Sequence, residues 1–257
     1  MDSIFINTLS NAVFVYGSDF NGSTNSGAAM FAHKYYGAQQ GIGDGPNGQS
    51  YALPIKNEAS RNLSLQDINY NVRNFIAYAK ERRDLFFMVT RIGCGVGGYD
   101  DNTIAPMFNK VPDNVWLPGK WLMLLNHLDR ARLIVEGSEE YTDTSHIEHV
   151  LNNDTKFWNR KFEIVTSDKS NVSKIASSWC RRNELPWTPI VSNPDKFGND
   201  AEKVRNLQMS WYATHLIAYH DNLDANTEHI IKCANNEGLR TKICNIMNAT
   251  QKMELVG

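Results

Sequence analysis

Two glycine-rich turns that follow apolar runs are the residues of this chain best suited to chemistry. Phe86-Phe87-Met88-Val89-Thr90-Arg91-Ile92 has the composition of a buried strand and runs directly into Gly93-Cys94-Gly95-Val96-Gly97-Gly98-Tyr99. Glycine has no Cβ, takes positive φ readily and lets backbone N–H groups come within hydrogen-bond reach of an anion. A tight strand-to-helix turn needs glycine for the same reason, so this loop alone leaves a phosphate cradle and a plain turn both open. The other loop, Gly17-Ser18-Asp19-Phe20-Asn21-Gly22-Ser23-Thr24-Asn25-Ser26-Gly27, favours the cradle. It lies between an apolar run at 12–16 and the helix formers Ala28-Ala29-Met30-Phe31-Ala32, with Asn25 or Ser26 placed as N-cap. A helix starting there points its N-terminus at the loop, an arrangement that receives anions.

The elements that must position these loops alternate along the chain. Strands are expected at 12–16, 50–55 and 86–92, with the glycine-rich stretch 37–48 as loop. Between 64 and 83, Leu65, Ile68, Val72, Phe75, Ile76 and Ala79 recur at three and four, which predicts an amphipathic helix starting near Ser64 or Asp67. Asp101-Asn102-Thr103 precedes another short helix at 104–108, and a proline- and tryptophan-containing stretch fills 112–121. The pattern restarts after a junction near 126–130, giving expected domains at 1–127 and 128–257. Strands are then predicted at 131–135, 162–166, 188–192, 215–220 and 240–244, and helices at 144–151, 172–182, 202–210 and 227–237. Such alternation implies an α/β layer structure, with a doubly wound parallel sheet in the second half.

Composition narrows the classes. The chain has 257 residues, 42% hydrophobic and 11% aromatic, with a formal charge of −2. That balance provides no overall drive toward nucleic acid or an anionic membrane. No apolar run reaches the roughly 18 to 20 residues of a membrane span. Residues 1–7 carry an acid and no basic segment, so a secretory signal is not expected and the cytoplasm is. Cys94, Cys180, Cys233 and Cys244 are scattered, and His146/His149 and His215/His220 lack partners at metal-site spacing. Reduced thiols, no metal and no cofactor are the expectation.

The second half resembles the YspA-type branch of the SLOG superfamily, a Rossmannoid group of nucleotide-binding sensors and phosphoribohydrolases. The resemblance rests on Leu133-Ile134-Val135-Glu136-Gly137-Ser138 with Tyr141-Thr142-Asp143, on Ala176-Ser177-Ser178-Trp179-Cys180-Arg181-Arg182, and on Lys196-Phe197-Gly198 with Arg205-Asn206-Leu207-Gln208-Met209. It closes with Leu216-Ile217-Ala218-Tyr219-His220-Asp221 and Thr227. It implies a ligand site at Gly137, Ser138, Arg205, Asn206 and Thr227, with the Arg205 guanidinium on a phosphate. The chain departs from the family at Ser167-Asp168-Lys169-Ser170-Asn171, where a glycine loop is usual, and at Asp224-Ala225-Asn226-Thr227, which loses the turn glycine. Ile230 and Ile231 stand where the hydrolytic relatives carry acids, so the resemblance implies ligand binding or a purely structural use of the domain, and not hydrolysis.

The first half resembles a family of phage and bacterial proteins whose loops are similar to those of macro domains. Gly17-Ser18-Asp19-Phe20-Asn21-Gly22 with Gly27-Ala28-Ala29 corresponds to the helix-capping loop, and Gly93 to Tyr99 is similar to the macro-domain phosphate loop. Macro domains bind ADP-ribose, and some hydrolyse its linkages; the Asn-Ala-Ala-Asn signature is absent here. For an ADP-ribose-like ligand, amides of 22–27 and 93–98, including those of Gly95, Val96, Gly97 and Gly98, would cradle the diphosphate. Asp19 would accept from the adenine or orient a ribose, and Tyr99 would cover a ring. Asn21, Asn25 and His33 would position water, with His33 as acid or base near neutral pH, although a histidine inside a helix is more often structural. Arg91 would pair either a phosphate or a buried carboxylate; residue type does not choose.

Three functions follow as expectations. The leading one is a counter-defence protein that sequesters an ADP-ribose-like or cyclic-nucleotide signal. The others are hydrolysis of an ADP-ribosyl or N-glycosidic bond with Asp19 and Asn21 as agents, and a scaffold, including a homo-oligomer. The expected partner is a nucleotide-derived small molecule, not nucleic acid or a membrane.

Overall fold

A computed structural model describes residues 12–246 except 96, 160 and 168. The chain divides into two compact units between His127 and Leu128. Both are α/β, as the alternation predicts.

The first unit holds β1 (Val13–Asp19), β2 (Gly45–Asn47), β3 (Ser50–Lys56), β4 (Phe87–Val89) and β5 (Val115–Trp116) in the order β2-β3-β1-β4-β5. Every pairing is parallel except β2 with β3. Its helices are α1 (Gly27–Tyr36), α2 (Leu65–Glu81), α3 (Asp101–Ile104) and α4 (Gly119–Leu124). β1 is central and apolar on both faces, as a parallel strand covered on both sides must be. Phe14 stacks on Tyr36 at 4.9 Å and meets Phe31 at 5.2 Å, both on α1. Val13 and Val15 belong instead to the core built with Ile68, Val72 and Phe75 of α2. The three-and-four spacing of α2 thus becomes its buried stripe, and Ser64 caps it by accepting from the Asp67 amide.

Two short strands were not foreseen. β2 lies inside the stretch read as loop, and β5 inside the proline- and tryptophan-containing segment. Elements of two or three residues are too short to carry a period. Within 37–48, Gly43 and Gly48 serve close approach: a Cβ on Gly43 would stand 2.0 Å from the Asp19 carbonyl oxygen. One on Gly22, at φ +63°, would stand 2.3 Å from the Ile42 nitrogen. Ser18 Oγ donates to the Gly43 carbonyl at 2.6 Å, so this stretch braces the first glycine loop.

The second unit holds β6 (Ala131–Gly137), β7 (Phe162–Thr166), β8 (Trp187–Pro189), β9 (His215–His220) and β10 (Arg240–Asn245), all parallel, in the order β10-β9-β6-β7-β8. The chain starts centrally at β6, builds outward to β8, then returns to β9, so the strand order reverses between β6 and β9. Its helices are α5 (Thr144–Thr155), α6 (Asn171–Arg182), α7 (Pro194–Phe197), α8 (Ala201–Tyr212) and α9 (Ala225–Asn236). No helix among the described residues is long and apolar enough to cross a membrane.

Candidate functional site

The two glycine loops of the first unit meet around one cavity of about 240 Å³. Gly17, Ser18 and Asp19 at the end of β1, Ser23, the α1 start from Ser26 to Ala29, Ile55 and Lys56 at the end of β3, Arg91, Gly93, Gly95 and Gly97 line it. This is the carboxyl end of parallel strands, where open α/β sheets place ligands.

The α1 N-terminus faces the cavity undressed. Ser26 makes no side-chain cap and the first turn carries no acid. The first N–H groups of a helix have no intrahelical acceptor, so those of Gly27, Ala28 and Ala29 are available to an anion. In the second loop the amides of Cys94, Gly98 and Tyr99 are spent on Arg91, Gly95 and Gly93 carbonyls. Those of Gly93, Gly95 and Gly97 take no acceptor among the described residues; Val96 lies outside the described residues. Asn62 holds this loop by donating to the Gly97 carbonyl at 2.8 Å.

Charge at the cavity comes from three side chains. Asp19 Oδ1 accepts from the Ser23 amide at 3.1 Å. Lys56 is half-buried and makes no ion pair among the described residues. Arg91 is committed: Nε and Nη2 hold both oxygens of Asp101 at 2.9 and 2.6 Å. The alternative left open for Arg91 is thereby answered for the carboxylate. Asp101 also accepts from Lys120 at 2.8 Å and from Trp121 Nε1 at 2.7 Å. Burial alone would raise its pKa; the bonds from Arg91, Lys120 and Trp121 outweigh that and hold it well below the usual carboxylate range.

Several expected site residues lie elsewhere. Asn21 donates to the Glu58 carbonyl on the exposed side of its loop, and Asn25 is exposed outside the cavity lining. His33 sits in the last turn of α1 with Nδ1 on the Ala38 carbonyl at 2.6 Å. Six residues of helical rise, about 9 Å, separate it from the end that faces the cavity. Tyr99 turns inward, donates to the Leu63 carbonyl at 2.6 Å and packs on the core, so it anchors the loop and covers no cavity. Gly22 and Gly98 shape their loops without lining the cavity. The Cys94 thiol, pushed up to about 12 by burial and then by Asp101, is not a ready nucleophile.

Lys56 and Ile55 were missed. The signal available for Lys56 was its place one residue beyond a predicted strand of a parallel sheet.

The second unit fills its own anion positions. Glu136, fully buried at the end of β6, accepts from Ser170 Oγ, Ser173 Oγ at 3.1 Å and the Gly137 amide at 3.1 Å, at the N-terminus of α6. Asp224 accepts from the Asn226 and Thr227 amides and the Thr227 hydroxyl at the N-terminus of α9. Gly137 is required by packing, since a Cβ would stand 2.6 Å from the Tyr219 carbonyl oxygen, and Ser138 is buried beside it. Arg205 and Asn206 are fully buried and hold Asn226 Oδ1 at 3.1 and 2.9 Å. Asn226 and His229 line a cavity of about 470 Å³, while Arg205 and Asn206 stand behind them. The five residues implied by the SLOG resemblance thus do not line one open cavity together. Truncating Glu136 to alanine strands the Ser170 hydroxyl and the Gly137 amide, while Ser173 Oγ keeps the Val135 carbonyl at 2.9 Å, an expected cost of about 2 kcal/mol read in urea unfolding.

Comparison with family models, with curated proteins and with solved structures returned no match to this chain.

Proposed function

We propose that the chain binds and sequesters a nucleotide-derived signal, ADP-ribose-like or cyclic, through the cavity of the first unit, and so counters a defence system that uses it. The observation that carries this reading is the convergence on one cavity of the uncapped α1 N-terminus, three unspent glycine amides and the uncompensated Lys56. Backbone amides and a lysine are a phosphate's ligands. Holding is favoured over cleavage because two of the residues expected to position or activate water are absent from the lining, which leaves Asp19 alone there: His33 lies at the far end of α1 and Asn21 faces Glu58.

The test uses the purified full chain. Incubation with ADP-ribose or cyclic nucleotides, removal of free ligand, denaturation and mass spectrometry should recover the compound intact. No bound nucleotide at micromolar concentrations overturns the reading. Hydrolysis of an ADP-ribosyl bond stays as a second reading because one oxygen of Asp19 has no partner among the described residues and could take a proton from water. Product that accumulates with wild type and not with Asp19→Ala would favour it.

A further inference from the structure

The parallel pairing of β1 with β3 is irregular at one place. Ser18 pairs with Pro54, and the next residue, Asp19, pairs with Lys56, so Ile55 is skipped. Bulges of this kind re-aim side chains and are frequent beside functional sites. Here the irregularity sets opposite charges next to one another at the cavity, and they make no ion pair. Asp19 Oδ2 and Lys56 Nζ both remain without a partner among the described residues.

A fully ionised oxyanion such as sulfate would satisfy Lys56 and the amides of α1 but, with no proton to donate, would face repulsion from Asp19. An occupant that carries a hydroxyl beside its phosphate satisfies both walls, since an ionised carboxylate only accepts hydrogen bonds. The volume of about 240 Å³ is below the about 300 to 1,000 Å³ of sites that enclose a whole drug-sized ligand, so a phosphate and its sugar are seated and a base extends outside. We propose that the cavity is a sugar-phosphate subsite: the phosphate lies on Lys56 and the α1 amides, and a sugar hydroxyl donates to Asp19. The inference rests on the nucleotide reading above and names which part of the ligand the cavity grips.

Calorimetry on the full chain near neutral pH with ribose 5-phosphate, sulfate and ADP-ribose tests it. Wild type should prefer ribose 5-phosphate to sulfate by about ten- to hundredfold, the worth of a hydrogen bond to a charged group. Asp19→Asn keeps an acceptor for the Ser23 amide and removes the charge. It should tighten sulfate and bring the preference down to about fivefold or less, the remainder expected of a neutral hydrogen bond. Lys56→Met should weaken both compounds, and thermal melts of both variants report folding. An unchanged preference in a folded Asp19→Asn overturns the sugar assignment. If ADP-ribose still binds in that case, the nucleotide reading survives; if none of the three compounds binds wild type, both fall.

Discussion

Lys56→Glu is expected to weaken nucleotide binding by at least about 100-fold while the protein stays folded. Lys56 is the cation at the cavity that no carboxylate of the described residues neutralises, because Arg91 is held by Asp101. A charge-assisted hydrogen bond contributes about 1.5–3 kcal/mol, and reversal adds repulsion with the phosphate. Since 1.4 kcal/mol is tenfold, the two effects together reach two decades. Stability should change little, for Lys56 is half-buried at a strand end and its removal strands no other group. The measurement is titration calorimetry with the ligand recovered from wild type, beside a thermal melt. Unchanged affinity would remove Lys56 from the site and with it the strongest charge argument for a phosphate.

Asp101→Asn is the largest expected loss of stability. Asp101 is 7% exposed and joins Arg91, which follows β4, to Lys120 and Trp121, both on α4. The amide leaves two cations without their counter-charge, and breaking one side of a buried pair costs about 3–5 kcal/mol. Urea unfolding of the variant should show this as a lower midpoint. The pH dependence follows from the lowered carboxyl: its stabilisation is complete above the unfolded value near pH 4 and is lost as pH falls through the lower folded value. The variant should therefore lose less stability than wild type on acidification. Arg91 and Lys56 both line the cavity and Asp101 does not, so the surviving folded variant should bind phosphate no more weakly than wild type.

Periodicity and loop composition made much of the scaffold legible. α2 was readable from Ile68, Val72, Phe75 and Ala79, and the alternation of runs announced two α/β units' worth of strands. β2 and β5 were not, since strands of two or three residues have no period and are made by their neighbours. Within the site, Gly17, Asp19, Gly27, Gly93, Gly95 and Gly97 were legible as loop residues after strands, and they meet at one cavity. The places of His33 and Tyr99 were not legible, because adjacency along the chain does not say which end of a helix or which side of a loop a side chain occupies; His33 has the structural role usual for a histidine inside a helix.

By itself, the amino-acid sequence determined the α/β class and the presence of two glycine loops that end strands, because glycine spacing and apolar period are local properties of a chain. Only the tertiary structure decided what those loops surround. The skipped Ile55 that sets Lys56 beside Asp19, the capture of Arg91 by Asp101, and the filling of helix N-termini in the second unit by Glu136 and Asp224 all join residues distant in sequence or set by loop geometry. Charges find partners in space, and whether an anion site is open depends on which carboxylate reaches it first.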